Sequence, residues 1–420
     1  MTSIFRTLEE RGFIAQASDE SLPELLSKSK FTVYAGFDPT ADSLHLGHLV
    51  PIMALAHFQQ AGHCPLMVVG GATGMVGDPS GRSEERNLLT REQIAANVLA
   101  VRHQMERFLS FDGPNPATIL DNLDWIGAFS FLDWLRDVGK HFTVATMLAK
   151  DSVQRRLEGG ISYTEFSYMT LQAYDFLHLF ANHGCTLQVG GSDQWGNITA
   201  GIDLIRRVRQ GQAFGITFPL VTTSSGEKFG KTAGNALWLD PKRTSPWDFY
   251  QYLVRQDDRD VVRFLNLYTF LPREAIAELE RSVREEPHKR EAQKRLAYEV
   301  TAIVHGQETA KEMAHAVEVV YRSEIRGISD ATLGAVFASV PSTTVNRPEL
   351  EAGIPLLDLL LRTGLASSKG EARRMLKSKA VYVNNVQQED EITLGSQHLA
   401  SASFIVLRAG KKDYHLVRVQ

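Results

Sequence analysis

The sequence predicts an α/β chain: a parallel sheet with crossover helices comes first, a helical segment follows, and a small α+β module ends it. Three observations carry this prediction. From about Phe31 to Leu220, short apolar runs alternate with amphipathic stretches, the pattern of strands joined by covering helices. From Ser245 to Tyr321 the strand signals vanish and helical periods replace them. Beyond Pro355 helix caps and β-branched runs occur side by side. At 420 residues the chain exceeds what one hydrophobic core usually organises. The expected boundaries are a sheet domain over 1–225, a helical domain over 226–322, a linker over 323–350 and a last module over 351–420. The linker rests on the cluster Pro341, Ser342, Thr343, Thr344 and Pro348.

Taken in order, Phe31 to Phe37 reads as the first strand, a Pro-Thr-Ala-Asp turn follows, and Leu49, Ile52, Leu55 and Phe58 mark a helix. Pro65 to Gly70 is the second strand, ended by Gly70-Gly71-Ala72-Thr73-Gly74. Thr90 with Gln93 forms a capping box that opens the next helix. Ala117 to Leu120 and Thr186 to Val189 are further strands. Ser245 followed by Pro246 is a cap with proline at the first helical position. In the last module Pro355 to Leu361 is an apolar helix, and Ser368 with Glu371 is a second capping box. Val381-Tyr382-Val383 runs into an Asn384-Asn385 turn, and Phe404 to Leu407 and His415 to Val419 are strands around Gly410.

Composition bounds the function. With 43% apolar and 22% charged residues the chain is neither disordered nor fibrous. A net charge of -4 excludes a surface coated in basic residues, while a local basic patch remains compatible with nucleic acid. Cys64 and Cys185 stand far apart without a CxxC, so neither a zinc knuckle nor a disulfide scaffold is indicated. The start, MTSIFRTLEERGF, interleaves charges too early for a signal peptide. The apolar stretch Leu49 to Phe58 falls well short of the ~20 residues a membrane span needs. A cytoplasmic protein without membrane contact is the expectation.

Two constellations carry chemistry. The first, Asp38-Pro39-Thr40-Ala41-Asp42-Ser43-Leu44-His45-Leu46-Gly47-His48, lies between a strand and a helix. Such a junction offers free backbone N–H groups and the positive end of a helix dipole to a polyphosphate. Gly47 permits close approach, and His45 and His48 can donate to phosphate or ribose. A helix cap or surface role is the plain alternative. A zinc site is disfavoured, because HxxH lacks the glutamate of HExxH and no third ligand is near. The second constellation is Glu227-Lys228-Phe229-Gly230-Lys231-Thr232, with Ser224, Ser225, Gly226 and Gly234 around it. Its two lysines can swing onto a triphosphate and neutralise growing charge. A solvated loop is the alternative here, and the Walker spacing is absent.

Together, an early HxGH element and a late KxxK(S/T) loop resemble the paired signatures of class I aminoacyl-tRNA synthetases. The co-linear motifs VYAGFDPTADSLHLGHL, GGATGMVGDPSGR, SYMTLQAYDFL, VGGSDQWGNI and KFGKT resemble the bacterial tyrosyl-tRNA synthetase set over residues 31 to 235. The resemblance implies a Rossmann-like catalytic domain, a helical anticodon-binding domain and a C-terminal RNA-binding domain. It implies that Tyr34 and Asp175 bind the substrate phenol, that Asp78, Tyr168 and Gln172 hold its ammonium group, and that Gln194 reaches its carboxylate. Helical spacing agrees, since Tyr168, Gln172 and Asp175 project from one face. ATP falls by resemblance to Gly36, Asp38, His45, Gly47, His48, Gly191, Asp193 and Lys231, with Asp193 at the ribose. Thr40, His45, His48, Lys228 and Lys231 are the implied catalytic groups. No resident metal ligands are implied, Mg2+ arrives with ATP, and the implied partners are L-tyrosine, tRNA(Tyr) and a second copy in a homodimer. Two positions depart from the pattern. Ala35 replaces a polar side chain that some relatives carry near the ribose, and Pro51 cannot hydrogen-bond a nucleotide.

Between Arg362 and Tyr382, Arg362, Lys369, Arg373, Arg374, Lys377 and Lys379 face one acid, Glu371. Arg373, Arg374 and Lys377 fall near one side of a short helix, a cationic face able to meet RNA phosphates. A solvated helix face is the alternative. The stretch GLASSKGEARRMLKSKAVYVNN resembles a small RNA-binding fold shared by a ribosomal protein and RNA-modifying enzymes. Three other readings stay open: a small-molecule adenylyltransferase, which leaves 246–420 without a purpose, a catalytically silent RNA-binding protein, and a tryptophan-specific synthetase, which Tyr34 opposite Asp175 suits less well.

Overall fold

A computed structural model describes residues 3–80, 89–157, 159–232, 235–322, 324–410 and 413–420. Gly81 and Arg82 at the end of the GGATGMVGDPSGR motif, Gly234 beside the lysine loop, and Ser323 at the start of the expected linker lie outside these residues. Packing divides the chain into two compact units, Met1–Thr244 with Gln256–Leu296 and Ser245–Arg255 with Ala297–Gln420.

The first unit is built on a six-stranded sheet of order β1-β6-β5-β2-β3-β4. Its strands are β1 (Gln16–Ala17), β2 (Thr32–Phe37), β3 (Cys64–Val69), β4 (Thr118–Asp121), β5 (Cys185–Gly191) and β6 (Phe214–Phe218). All pairings are parallel except β1 on β6, which is antiparallel at the edge. From β2 the chain moves through β3 to β4 on one side and later fills β5 and β6 on the other. The order therefore reverses between β2 and β5, and in open parallel sheets ligands bind at such a reversal, beyond the carboxyl ends of the strands. Asp38, His45, Asp193 and Gln194 follow those two strand ends. The helix Leu49–Gln60 is buried on nearly every side, from Leu49 through Phe58, which explains its continuous apolar sequence. Helix Arg91–Met105 opens on the expected Thr90–Gln93 capping box, with both arms present.

The second unit carries a five-stranded sheet of order β12-β11-β14-β15-β9. Its strands are β9 (Ser342–Val345), β11 (Val381–Val383), β12 (Val386–Gln388), β14 (Phe404–Ala409) and β15 (Asp413–Val419), beside a short β10 (Ile354–Pro355) and β13 (Thr393–Leu394) ladder. The Asn384-Asn385 turn joins β11 to β12 as expected, both residues taking positive φ, 49° and 63°. One sheet face packs Val381, Ile405, Leu407 and Val417 against Leu356, Leu359, Leu360, Ala372 and Leu376 of the helices Leu356–Arg362 and Lys369–Lys377.

Three expectations change. Residues 323–350 are not a structureless linker, because Asp330–Val336 is helical and β9 pairs in parallel with β15 at the sheet edge. A polar Ser-Thr-Thr run after proline reads as a loop, yet an edge strand tolerates polar residues on its solvent side and a proline just before it. Residues 226–322 do not pack as one body. The helices Asp258–Tyr268 and Arg273–Glu285 belong to the first unit, whereas Pro246–Val254 and Gln307–Arg322 belong to the second. Periodicity shows which face of a helix is apolar, not what covers it. Finally, Ser368 caps its helix by accepting the Glu371 N–H, but the Glu371 carboxylate turns to Ser367 instead of closing the box.

Candidate active site

A cavity of ≈ 340 Å³ lies in the first unit at the reversal between β2 and β5. It is lined by every residue that the motifs assign to ATP or tyrosine: Tyr34, Gly36, Asp38, Thr40, His45, Gly47, His48, Asp78, Tyr168, Gln172, Asp175, Gly191, Asp193, Gln194, Lys228 and Lys231. Ala35 and Pro51, the two departures, line it as well.

At its buried end stand Tyr34 on β2 and Asp175 on the long helix Tyr163–His183. Asp175 Oδ1 accepts from the Trp125 indole N–H at 2.8 Å, and Oδ2 from the Asn122 amide at 3.0 Å. Burial pushes the Asp175 carboxyl up to about 7, against the downward pull of those two hydrogen bonds. Burial, with the Asp175 charge adding to it, also raises the Tyr34 phenol well above its ordinary value, so Tyr34 stays a hydroxyl. Because the carboxyl ionises at 3.8 when unfolded and only near about 7 in the unliganded fold, stability falls as the pH rises between those values. A bound ring hydroxyl that donates to the carboxylate favours the ionised form. The tyrosine KM should therefore fall as the pH rises from 6 to 8, by up to about tenfold per pH unit below the transition. Steady-state KM measured across that range checks this, and a flat profile contradicts it.

Next along the cavity comes a ring of acceptors. Tyr168 donates to Asp38 Oδ2 at 2.9 Å and Thr73 to Asp38 Oδ1 at 2.7 Å. Asn122 donates to Thr73 as well, at 2.9 Å, linking this carboxylate to the Asp175 end. Gln194 donates to Asp78 Oδ2 at 2.6 Å, and its own carbonyl accepts from Gln172 and Asn197, each at 3.2 Å. Asn197 also donates to the Gln172 carbonyl at 3.1 Å. Two carboxylates and a phenol oxygen thus line one stretch of the cavity, acceptors of the kind a cation needs.

At the histidine element the structure differs from the expected cradle of free backbone N–H groups. A 3-10 turn, Leu46–His48, precedes the helix, and its amides are occupied. His45 N–H donates to His48 Nδ1 and Gly47 N–H to His45 Nδ1, both at 3.1 Å, and the two rings stack with centroids 3.8 Å apart. With both Nδ1 atoms accepting, each neutral ring carries its proton on Nε2, the donor it can offer to phosphate. Burial lowers His45 to about 4, and the Lys231 and Lys228 charges push the same way, so the ring is neutral at physiological pH.

The lysine loop is tied to this element. Leu46 N–H donates to the Leu237 carbonyl and Leu239 N–H to the Leu44 carbonyl, each at 2.9 Å, while Leu237 N–H donates to the Gly230 carbonyl at 2.7 Å. Gly230 sits at φ +84°, and a Cβ there would come within 2.9 Å of Leu46 Cβ, so only glycine fits. Lys228 and Lys231 are exposed and line the cavity. Burial raises the Asp193 carboxyl.

Sequence reasoning missed Thr73, Asn122, Trp125, Gln188 and Asn197. Two of them stand inside quoted motifs, Thr73 in GGATGM and Asn197 in SDQWGN. Asn122 follows the end of β4, where a polar pair was a legible signal. Gln188 faces Tyr34 across the β2–β5 pairing, and its carbonyl oxygen is buried without a hydrogen-bond partner among the described residues.

The second candidate surface lies on helix Lys369–Lys377. Arg373 pairs with Glu391 at 2.7 Å, Lys369 with Asp358 at 2.5 Å, Lys379 with Glu389 at 2.6 Å and Arg362 with Glu349 at 2.6 Å. The acids come from outside the basic segment, so the cationic face is narrower than the sequence suggests. Arg374 and Lys377 make no ion pair among the described residues.

A parallel sheet with a histidine pair and a lysine loop joined at its reversal point defines the class I aminoacyl-tRNA synthetase architecture. Residues 26–322 match the family of tRNA synthetases class I (W and Y), and residues 332–417 the tyrosine–tRNA ligase SYY-like C-terminal domain. The chain belongs to the tyrosine–tRNA ligase family. It is 49% identical over 426 residues to the tyrosine–tRNA ligase of Roseiflexus castenholzii, covering 100% of both chains. With that of Geobacillus stearothermophilus it shares 48% over 415 residues, 98% of each. Among solved structures it resembles a C-terminally truncated mitochondrial tyrosyl-tRNA synthetase of Aspergillus nidulans, with a TM-score of 0.70, 32% identity, and 76% and 95% of the two chains covered. A tryptophanyl-tRNA synthetase of Encephalitozoon cuniculi shares the fold, with a TM-score of 0.52 and 14% identity over 73% of this chain and 87% of that one.

Proposed function

We infer that the chain activates L-tyrosine with ATP and passes the tyrosyl group to the 3'-terminal ribose of tRNA(Tyr). The observation that carries the choice of amino acid is Asp175, a buried carboxylate held by two donors with Tyr34 nearby. Such a pair fits a ring hydroxyl, while an indole N–H offers no oxygen for Tyr34 to donate to.

In the first step a tyrosine carboxylate oxygen attacks the α-phosphorus, the bond to the bridging oxygen breaks, and pyrophosphate leaves. The nucleophile is already ionised, so catalysis consists of positioning and electrostatic stabilisation. Asp78, Tyr168 and Gln172 hold the ammonium group, Gln194 the carboxylate and Asp193 the ribose. Gly36, Asp38, Gly47 and Gly191 shape the nucleotide's seat. Thr40, His45, His48, Lys228 and Lys231 meet the phosphates, the histidines as Nε2 donors and the lysines as charges. No group of three or more metal-ligating side chains occurs among the described residues. Mg2+ would arrive with ATP as part of the substrate and share the phosphate charge. In the second step a ribose hydroxyl attacks the acyl carbon, the anhydride bond breaks, AMP leaves, and the hydroxyl proton goes to phosphate or solvent.

A homodimer is supported by the exposed apolar side chains Phe131, Leu132, Val144 and Tyr163, at 63%, 75%, 63% and 63%, which a second copy could cover. No helix among the described residues is long and apolar enough to cross a membrane. The reaction belongs in the cytoplasm with its substrates.

Helices of residues 226–322 are assigned to the anticodon arm, and Arg373, Arg374 and Lys377 to RNA phosphates. The test is transfer of labelled tyrosine to tRNA by the wild type and by a double Arg374→Glu, Lys377→Glu variant. The variant should retain tyrosine-dependent pyrophosphate exchange. Its tRNA affinity should fall, and the slope of log affinity against log salt should shrink by about 2. Unchanged RNA binding removes this face from the reading, and failure of the wild type to charge tRNA overturns the function.

A further inference from the structure

Asp175 can read a ring hydroxyl only while its two oxygens are held in place, and one of its two holders is poorly anchored by its own backbone. Trp125 sits on a four-residue helix, Leu123–Ile126, too short to fix a side chain by itself. Its indole N–H donates to Asp175 Oδ1 at 2.8 Å. The ring belongs to an apolar cluster that includes Ala173, Phe176 and Leu177. What lies flat on the indole is His178, with ring centroids 4.4 Å apart and 10° between the planes. The imidazole is itself fixed by Asn182, whose amide lies 3.3 Å from His178 Nδ1 and donates to the His178 carbonyl at 2.9 Å. His178 follows Asp175 by three residues on the same helix, so both project to one side. Acceptor and donor are therefore both referenced to one 21-residue helix, Asp175 directly and Trp125 through the stack.

We propose that His178 is a positioning residue for amino-acid selection: its ring, stacked on Trp125, keeps the indole N–H on Asp175 and so sets the carboxylate that reads the substrate's hydroxyl. This rests on the tyrosine reading above. His178 does not line the cavity. Its loss lets the indole tilt, the N–H leave Oδ1, and the carboxylate rotate about Cβ–Cγ away from the hydroxyl. Phenylalanine, which has no hydroxyl to align, is indifferent to that rotation. The effect should thus appear in discrimination and not in general activity.

The experiment measures kcat/KM for tyrosine and for phenylalanine, and the KM for ATP, by pyrophosphate exchange with the full-length wild type, His178→Ala and His178→Phe. His178→Ala should lower the tyrosine-to-phenylalanine ratio by about three- to tenfold, through the tyrosine KM, with the phenylalanine kcat/KM and the ATP KM unchanged. His178→Phe keeps a flat ring on the indole and should restore the wild-type ratio. An unchanged ratio in His178→Ala overturns the proposal, as does an equal fall for both amino acids, which marks general loosening. A His178→Phe variant as impaired as His178→Ala also overturns it. Absence of tyrosine-dependent exchange in the wild type is a different result and overturns the function itself.

Discussion

Lys231→Ala should slow tyrosyl-adenylate formation by about a hundredfold or more, the scale seen when one preorganised group facing developing charge is removed. Tyrosine affinity should stay near the wild-type value. The reason lies in where the two ends of the site are built. Lys231 is exposed on the loop that follows Gly230, tied to the histidine element by the Leu237–Gly230 and Leu46–Leu237 hydrogen bonds. The tyrosine end rests on Asp175, Asn122 and Trp125, to which that loop contributes nothing. Charge on the departing pyrophosphate grows only as the α–β bond breaks, so the lysine acts on the rate and not on ground-state binding. Single-turnover adenylate formation beside equilibrium tyrosine binding separates the two. An unaltered rate takes the lysine loop out of the mechanism.

Asp175→Ala should reduce the preference for tyrosine over phenylalanine by about a hundredfold or more. It removes the charged acceptor of the hydroxyl, strands the buried Trp125 indole N–H, and leaves the buried Asn122 amide with Thr73 as its one remaining acceptor. Each unpartnered buried group costs about 1–3 kcal/mol, and more where the lost partner was charged. Part of that cost falls on folding, so a lowered melting temperature should accompany the change. Tyr34→Phe deletes one neutral hydroxyl and leaves its ring packed beside Phe176. A loss of about tenfold in the ratio, ~1.4 kcal/mol, is expected. Ratios that remain at the wild-type value in both variants would mean that the phenol is bound elsewhere.

The sheet and the site were legible to different degrees, for physical reasons. Strands β2 and β3 stand out because a parallel strand buried on both faces is a continuous apolar run, as in Cys64–Val69, whereas β5, with Thr186 and Gln188 inside it, gives a weaker signal. Tyr168, Gln172 and Asp175 could be placed on one face because helical spacing is fixed. Trp125 stayed hidden because its role depends on β4 lying beside β3, a pairing that no local pattern announces. The histidine element was legible as chemistry and misread as backbone: nothing in HLGH states that the imidazoles occupy the amides a phosphate was expected to meet. In the C-terminal module, counting charges within 362–382 overstated the cationic face, since its partners Glu349, Asp358, Glu389 and Glu391 lie outside that window.

On this reading the cavity selects tyrosine by its hydroxyl and joins it to AMP without help from RNA. Exchange of labelled pyrophosphate into ATP, run with the wild-type protein and no tRNA against tyrosine, phenylalanine and tryptophan separately, tests it most directly. Rapid exchange with tyrosine and a rate orders of magnitude lower with the other two is the predicted result. No exchange with tyrosine, or exchange with phenylalanine or tryptophan at a comparable rate, would contradict it.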